Sequence, residues 1–146
     1  MTTNEAIAKY NFISKAVLSG DLSKEMKVKV MTMRIELSKI KKSFDEDSKA
    51  FADQIVTDDF RNLAMKQDKT DEEKVEYSKQ EAEINEAYIA YIQQLGQKEV
   101  NVDTTLTVDE YNELMVVNVD NDVEINGQKI SAGDYLEILY TLFVKE

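Results

Sequence analysis

The sequence predicts an α+β fold, mainly α: a long antiparallel, coiled-coil-like helical hairpin, with a short N-terminal helix before it and a small C-terminal β-hairpin and helix module after it. Three observations carry this. Apolar residues from Met26 to Ile55 recur at spacings of four and three. A second amphipathic run begins at Thr70-Asp-Glu-Glu73, which has the form of a capping box. Asn126-Gly127 separates two short β-prone runs, and that dipeptide tolerates the positive φ of a tight hairpin turn.

In chain order, "NEAIAKYNFISKAVL" reads as a helix that stops at Gly20. The next segment, Met26 to Phe44, alternates at first like a strand. Its parity flips between Val30 and Met33, so a strand would need a bulge there. The helical phase needs no repair: Met26, Val30, Met33, Leu37, Ile40, Phe44, Phe51 and Ile55 form a seam that misses only at Asp47. Thr57-Asp58-Asp59 offers a break, and "MKQDKT" a turn. The second helix sets Tyr77, Ile84, Tyr88, Tyr91 and Leu95 on its seam, interrupted by Glu81, and Gly96 is expected to close it in the left-handed conformation. Val28, Met31 and Ile35 widen the first seam, and Ile89 and Ile92 the second, so a thick base is expected there and a narrow tip around residues 45–80.

Beyond the hairpin, "KEVNVD" reads as a short strand and "TVDEYNELM" as a short helix capped by Thr107 with Glu110. The strands Val123–Ile125 and Gln128–Ile130 flank the Asn-Gly turn, and Ser131 caps a strongly apolar helix that ends the chain and belongs in the base. With no linker or repeat, residues 1–146 read as one domain: N-terminal helix in 1–20, hairpin in 23–96, strand and helix module in 98–146.

Composition excludes much chemistry. With no cysteine and no histidine, disulfides, thiolate catalysis, the commonest zinc ligand and every Ser-His arrangement fall away. The net charge of −11 argues against direct binding of nucleic acid. Residues 1–66 carry 12 Lys+Arg and 10 Asp+Glu, and residues 67–146 carry 6 and 19, so the acidity lies in the second half. No apolar run is long enough to span a bilayer, and "MTTNEAIAKY" has no signal-peptide pattern, so a soluble, intracellularly made protein is expected.

Candidate sites reduce to simpler readings. Asp45-Glu46-Asp47, Asp58-Asp59 and Asp71-Glu72-Glu73 are better explained as solvated faces and caps, because consecutive helical residues diverge and cannot converge on one ion. Asp120-Asn121-Asp122-Val123-Glu124 lacks the glycine and glutamate that a calcium loop needs, and reads as a turn. Lys27, Arg34 and Lys41 form a basic stripe beside the first seam, expected to pair locally or face water. No phosphate loop or nucleophile elbow is present, and no cofactor, metal or catalytic residue is expected.

The order of elements, with "YNFISKAVLSGDLSKEMKVKVMTMRIELSKIKKSF" and "KISAGDYLEILYTLF", resembles small uncharacterised proteins of tailed bacteriophages, a domain of unknown function encoded near virion and lysis genes. The resemblance covers most of the chain and carries over no functional residue. It implies a non-enzymatic structural or assembly accessory, made in the host cytoplasm with the virion as a further destination. Its contacts would be with other virion proteins or a second copy, and not with membrane or nucleic acid. Phe51, Ile55, Phe60, Leu63 and Met65 are the expected partner-binding residues, because the hairpin tip has few internal partners to cover them. The alternative is an acidic inhibitor that mimics nucleic acid on a host enzyme.

Overall fold

The computed structural model describes residues 1–145 and is mainly helical. Six helices and one two-stranded sheet follow in the order α1 (Thr3–Ile13), α2 (Lys24–Ile55), α3 (Asp58–Met65), α4 (Asp71–Gly96), α5 (Val108–Val116), β1 (Val123–Ile125), β2 (Gln128–Ile130) and α6 (Ala132–Phe143). The chain forms two compact units. One contains Met1–Lys41 and the chain from Glu99 onward; the other is Lys42–Lys98. The predicted short N-terminal helix, packed long helices and C-terminal β-hairpin with helix are all present.

The first unit holds the core. Met26, Val30, Met33 and Leu37 bury one face of α2 among Ala6 and Ile13 of α1, Tyr111 and Leu114 of α5, and Tyr135, Leu136, Leu139 and Phe143 of α6. Spacings of four and three keep the α2 residues on one face, and their burial gives that half of the helix its stability. The apolar α6 lies in this core, as its composition implied. Tyr111 and Tyr135 are buried with their hydroxyls partnered: the first donates to the Leu136 carbonyl at 2.7 Å, the second to the Phe12 carbonyl at 2.5 Å. Burial raises the pKa of both phenols, so they remain donors at neutral pH.

The β-hairpin forms as its turn residues require. Val123 pairs with Ile130 and Ile125 with Gln128, while Asn126 (φ 52°) and Gly127 (φ 77°) make the turn. A Cβ placed on Gly127 would meet nothing within 4 Å, so the cost of Gly127→Ala is the backbone's alone. An expected loss of about 1 kcal/mol follows, readable by chemical denaturation.

Four expectations require correction. The first helix ends at Ile13 and does not run to Leu18, because distant side chains capture the backbone that follows. Arg34 donates through Nε to the Ile13 carbonyl at 2.9 Å and through Nη2 to the Ala16 carbonyl. Buried Asn118 takes the backbone of Val17 on both sides, accepting its N–H at 2.8 Å and donating to its carbonyl at 3.2 Å. Arg34 therefore leaves the basic surface stripe: it is half-buried, and desolvation lowers its pKa. "KEVNVD" forms no strand; it makes a single bridge, Thr2 to Glu99, with the Val100 N–H donating to the Met1 carbonyl at 2.9 Å. Gly96 is the last residue of α4, lacks a positive φ and is followed by Gln97 in right-handed geometry.

The fourth concerns the thick base. Val28, Met31 and Ile35 are 58, 44 and 50% exposed, and Ile89 is 55% exposed. At about 100° per residue the three α2 side chains fall on the side of the helix opposite the buried row. The extra apolar residues are therefore uncovered surface and not a packed layer.

Candidate interaction site

The second unit is a helical hairpin made of residues 42–55 of α2, then α3 and α4. Thr57 ends α2 and caps α3, its hydroxyl accepting the Phe60 N–H at 3.2 Å, which is the break that Thr57-Asp58-Asp59 offered. The α2 seam continues through this unit with one adjustment. Ser48, not Asp47, fills the missing position, buried with its hydroxyl donating to the Phe44 carbonyl at 2.6 Å. The row Met26, Val30, Met33, Leu37, Ile40, Phe44, Ser48, Phe51, Ile55 advances 29 positions in eight steps. That is about 3.6 residues per step, the period of a straight α-helix and not the roughly 3.5 of a supercoiled seam.

Aromatic rings set the register between the helices. Phe51 stacks on Tyr91 with ring centroids 4.0 Å apart and planes 12° apart; Phe60 of α3 stacks on Tyr77 at 5.4 Å and 7°. The α3–α4 turn is held by charge. Lys69 donates from Nζ to the Lys66 carbonyl at 2.8 Å, at the open end of α3, and lies 5.1 Å from the centre of the Tyr77 ring. Glu73 accepts the Thr70 N–H at 3.0 Å, completing the predicted capping box, and receives Lys66 Nζ at 2.6 Å.

Those contacts, the lysine first and the Thr70 N–H second, hold the Glu73 carboxyl at about 2 against an ordinary 4.5. A carboxyl depressed on folding stabilises above its unfolded pKa and loses that contribution as pH falls through the folded one. The α3–α4 clamp is therefore expected to be intact above about pH 4.5 and to weaken down to about pH 2. A carbon-13 titration of the Glu73 carboxyl checks this, and Lys66→Met should raise its midpoint.

The five residues singled out from sequence all lie in this unit. Phe51 and Phe60 are half-covered by their tyrosine partners, Ile55 and Leu63 are half-buried, and Met65 is 81% exposed. In the whole of residues 42–98 only Ser48 and Gly96 are buried; every apolar side chain keeps part of its surface in water. Val75, which sequence reasoning passed over because it falls off the seam, is exposed on α4.

The first unit has a separate cleft of about 660 Å³, lined by Lys9, Thr104, Lys145, Asp103, Glu5 and others. Lys9 donates to the Thr104 hydroxyl at 2.8 Å and lies 5.5 Å from the Phe143 ring centre; burial, with Lys145 nearby, lowers its pKa. Both carboxylates are engaged by backbone, Glu5 with the Thr2 N–H at 2.7 Å and Asp103 with the Thr105 N–H at 3.0 Å. No group of three or more carboxylates among the described residues is placed to hold a metal, and no helix among them is long and apolar enough to cross a membrane.

No protein-family model matches the chain, and no curated protein or solved structure matches it significantly.

Proposed function

We propose that this protein is a non-enzymatic accessory of a tailed-phage particle or of its assembly, acting through protein–protein contacts of the helical hairpin. The observation that carries the reading is the incomplete cover of residues 42–98, where aromatic and aliphatic side chains lie in a row and none is buried. Such a hairpin gains free energy when a partner covers it, about 25 cal/mol for each Å² of apolar surface removed from water. Met65, exposed, and Leu63 and Ile55, half-buried, supply aliphatic surface at and before the α3–α4 turn, with Phe60 and Phe51 in the same unit. Rigid aromatic side chains suit such a contact, because they bring area at little entropic cost. The apolar face of α6 is occupied in the first unit's core, so the hairpin is the docking element.

The test is quantitative mass spectrometry of particles purified from the native source, comparing the wild-type chain with Leu63→Asp/Met65→Asp. The expected result is a fixed copy number for wild type and at least a tenfold loss for the variant, with its circular dichroism unchanged. A chain absent from particles overturns the reading.

One observation favours the competing one, an acidic inhibitor of a nucleic-acid-binding enzyme: from Gln80 to Gly96, α4 carries Glu81, Glu83 and Glu86 and no cation. An inhibitor of that kind loses affinity steeply between 50 and 200 mM salt, on the order of 10³-fold for six or more phosphate-like contacts, whereas an apolar contact does not.

A further inference from the structure

Two backbone anchors build the cleft in the first unit. The Val100 N–H donates to the Met1 carbonyl at 2.9 Å, and the Leu106 N–H to the Phe143 carbonyl at 2.8 Å. Residues 101–105 therefore run from the start of α1 to the end of α6. That course sets Thr104 against Lys9 of α1 and brings Lys145, just past α6, to the same cleft.

The donors gathered there lack acceptors. Lys9 Nζ gives one hydrogen to the Thr104 hydroxyl at 2.8 Å and is held 5.5 Å from the Phe143 ring centre. Thr104 is 3% exposed, and its own hydroxyl proton has no acceptor among the described residues. Neither Lys9 nor Lys145 forms an ion pair with a described residue. Glu5 and Asp103 also line the cleft, but each is engaged by a backbone N–H, that of Thr2 and that of Thr105. At Lys9 the repulsion from Lys145 outweighs the attraction of Glu5, so the ammonium sits in a repulsive field although the chain's net charge is −11.

A half-desolvated ammonium beside a second one, against a buried hydroxyl whose proton is unreceived, is completed by an oxyanion. We propose that the cleft binds the phosphate group of a small soluble molecule, its charge against Lys9 and Lys145 and one oxygen accepting from Thr104. A phosphate monoester near neutral pH carries close to two charges and matches the two ammoniums, where a carboxylate offers one. The cleft of about 660 Å³ has the size of a small-molecule site, and Val102 and Leu142 give the rest of the ligand an aliphatic wall. Glu5 and Asp103 beside it repel the further phosphates of a nucleic-acid strand. The cleft shares no residue with the hairpin, so this reading and the docking role fail separately.

Nitrogen-15 NMR of the full chain at about pH 7.5, titrated with inorganic phosphate, phenyl phosphate and acetate, tests it. Phosphate should shift the amides of Lys9, Thr104 and Lys145 with half-saturation below about 10 mM. Phenyl phosphate should bind at least fivefold more tightly than phosphate, and acetate at least fivefold more weakly. Bound phosphate should also raise the titration midpoint of the Lys9 ammonium, whose charged form a neighbouring anion favours. Lys145→Gln, at an exposed position, should weaken phosphate binding at least fivefold with the fold unchanged. Thr104→Val should weaken it with both lysines in place. No shift in the cleft at about 50 mM phosphate overturns the proposal, as does binding that ignores Lys145→Gln or an equal response to acetate. Capture on phosphatidic-acid vesicles without a response to phenyl phosphate overturns the soluble source.

Discussion

Asn118→Leu is expected to destabilise the protein by about 3–4 kcal/mol. Asn118 is fully buried, and its amide makes four hydrogen bonds. Nδ2 donates to the carbonyls of Leu114 at 2.8 Å and Val17 at 3.2 Å; Oδ1 accepts the Val17 N–H at 2.8 Å and Asn121 Nδ2 at 2.9 Å. Leucine has the same branched shape, with bulkier methyl ends, and satisfies none of these groups. The Val17 N–H and carbonyl would be left inside the protein without partners, each costing about 1–3 kcal/mol. Asn118→Asp separates shape from bonding: it keeps an acceptor for Val17 and loses both donors, and should be less destabilising at acid pH, where the buried carboxyl is neutral. Asn121→Ala removes only the bonds to Lys15 and Asn118 and should cost about 1 kcal/mol. Urea denaturation followed by circular dichroism measures all three.

Leucine truncations should divide by unit. Leu37→Ala, at a fully buried position, is expected to cost about 3 kcal/mol, because the α2 helix cannot collapse into the space left among α1, α5 and α6. Leu63→Ala, the same chemistry at a half-exposed site, should cost less than about 1 kcal/mol. Hydrogen exchange followed by NMR extends the contrast. Amides of Val30, Met33 and Leu139 should exchange only through global unfolding, and those of α3 and the first turns of α4 through smaller openings. Equal costs for the two leucines, or equal protection of α3 and α6, would contradict the division drawn from burial.

What the sequence revealed follows the range of the physical signals. Thr70 with Glu73, Thr107 with Glu110, and Asn126-Gly127 act within four residues, and each appears in the structure where its spacing placed it. The buried face of α2 was legible because a period of about 3.6 residues persists along the whole helix. Two kinds of feature were not. The end of α1 depends on Asn118, whose bonds to Val17 bridge 101 positions, and no local pattern encodes a partner that distant. The Val28, Met31 and Ile35 stripe looked like added core, because spacing reports which residues share a side of a helix and not what lies against it. For the hairpin, the seam tyrosines were visible in sequence, while their pairing with Phe51 and Phe60 came only with the register.

The first unit is assembled from both extremities of the chain, with the hairpin as an insert between them: the Met1 carbonyl accepts the Val100 N–H, and Phe12 is bonded from Tyr135. Synthesis on the ribosome is therefore out of step with folding. The insert emerges complete once its 57 residues have left the exit tunnel, while the leading 41 must wait, greasy side uncovered, for the final helix to be translated. A nascent chain stalled shortly before Tyr135 would hold a finished hairpin and an unclosed remainder, open to chaperones and proteases until the last turn of polypeptide arrives.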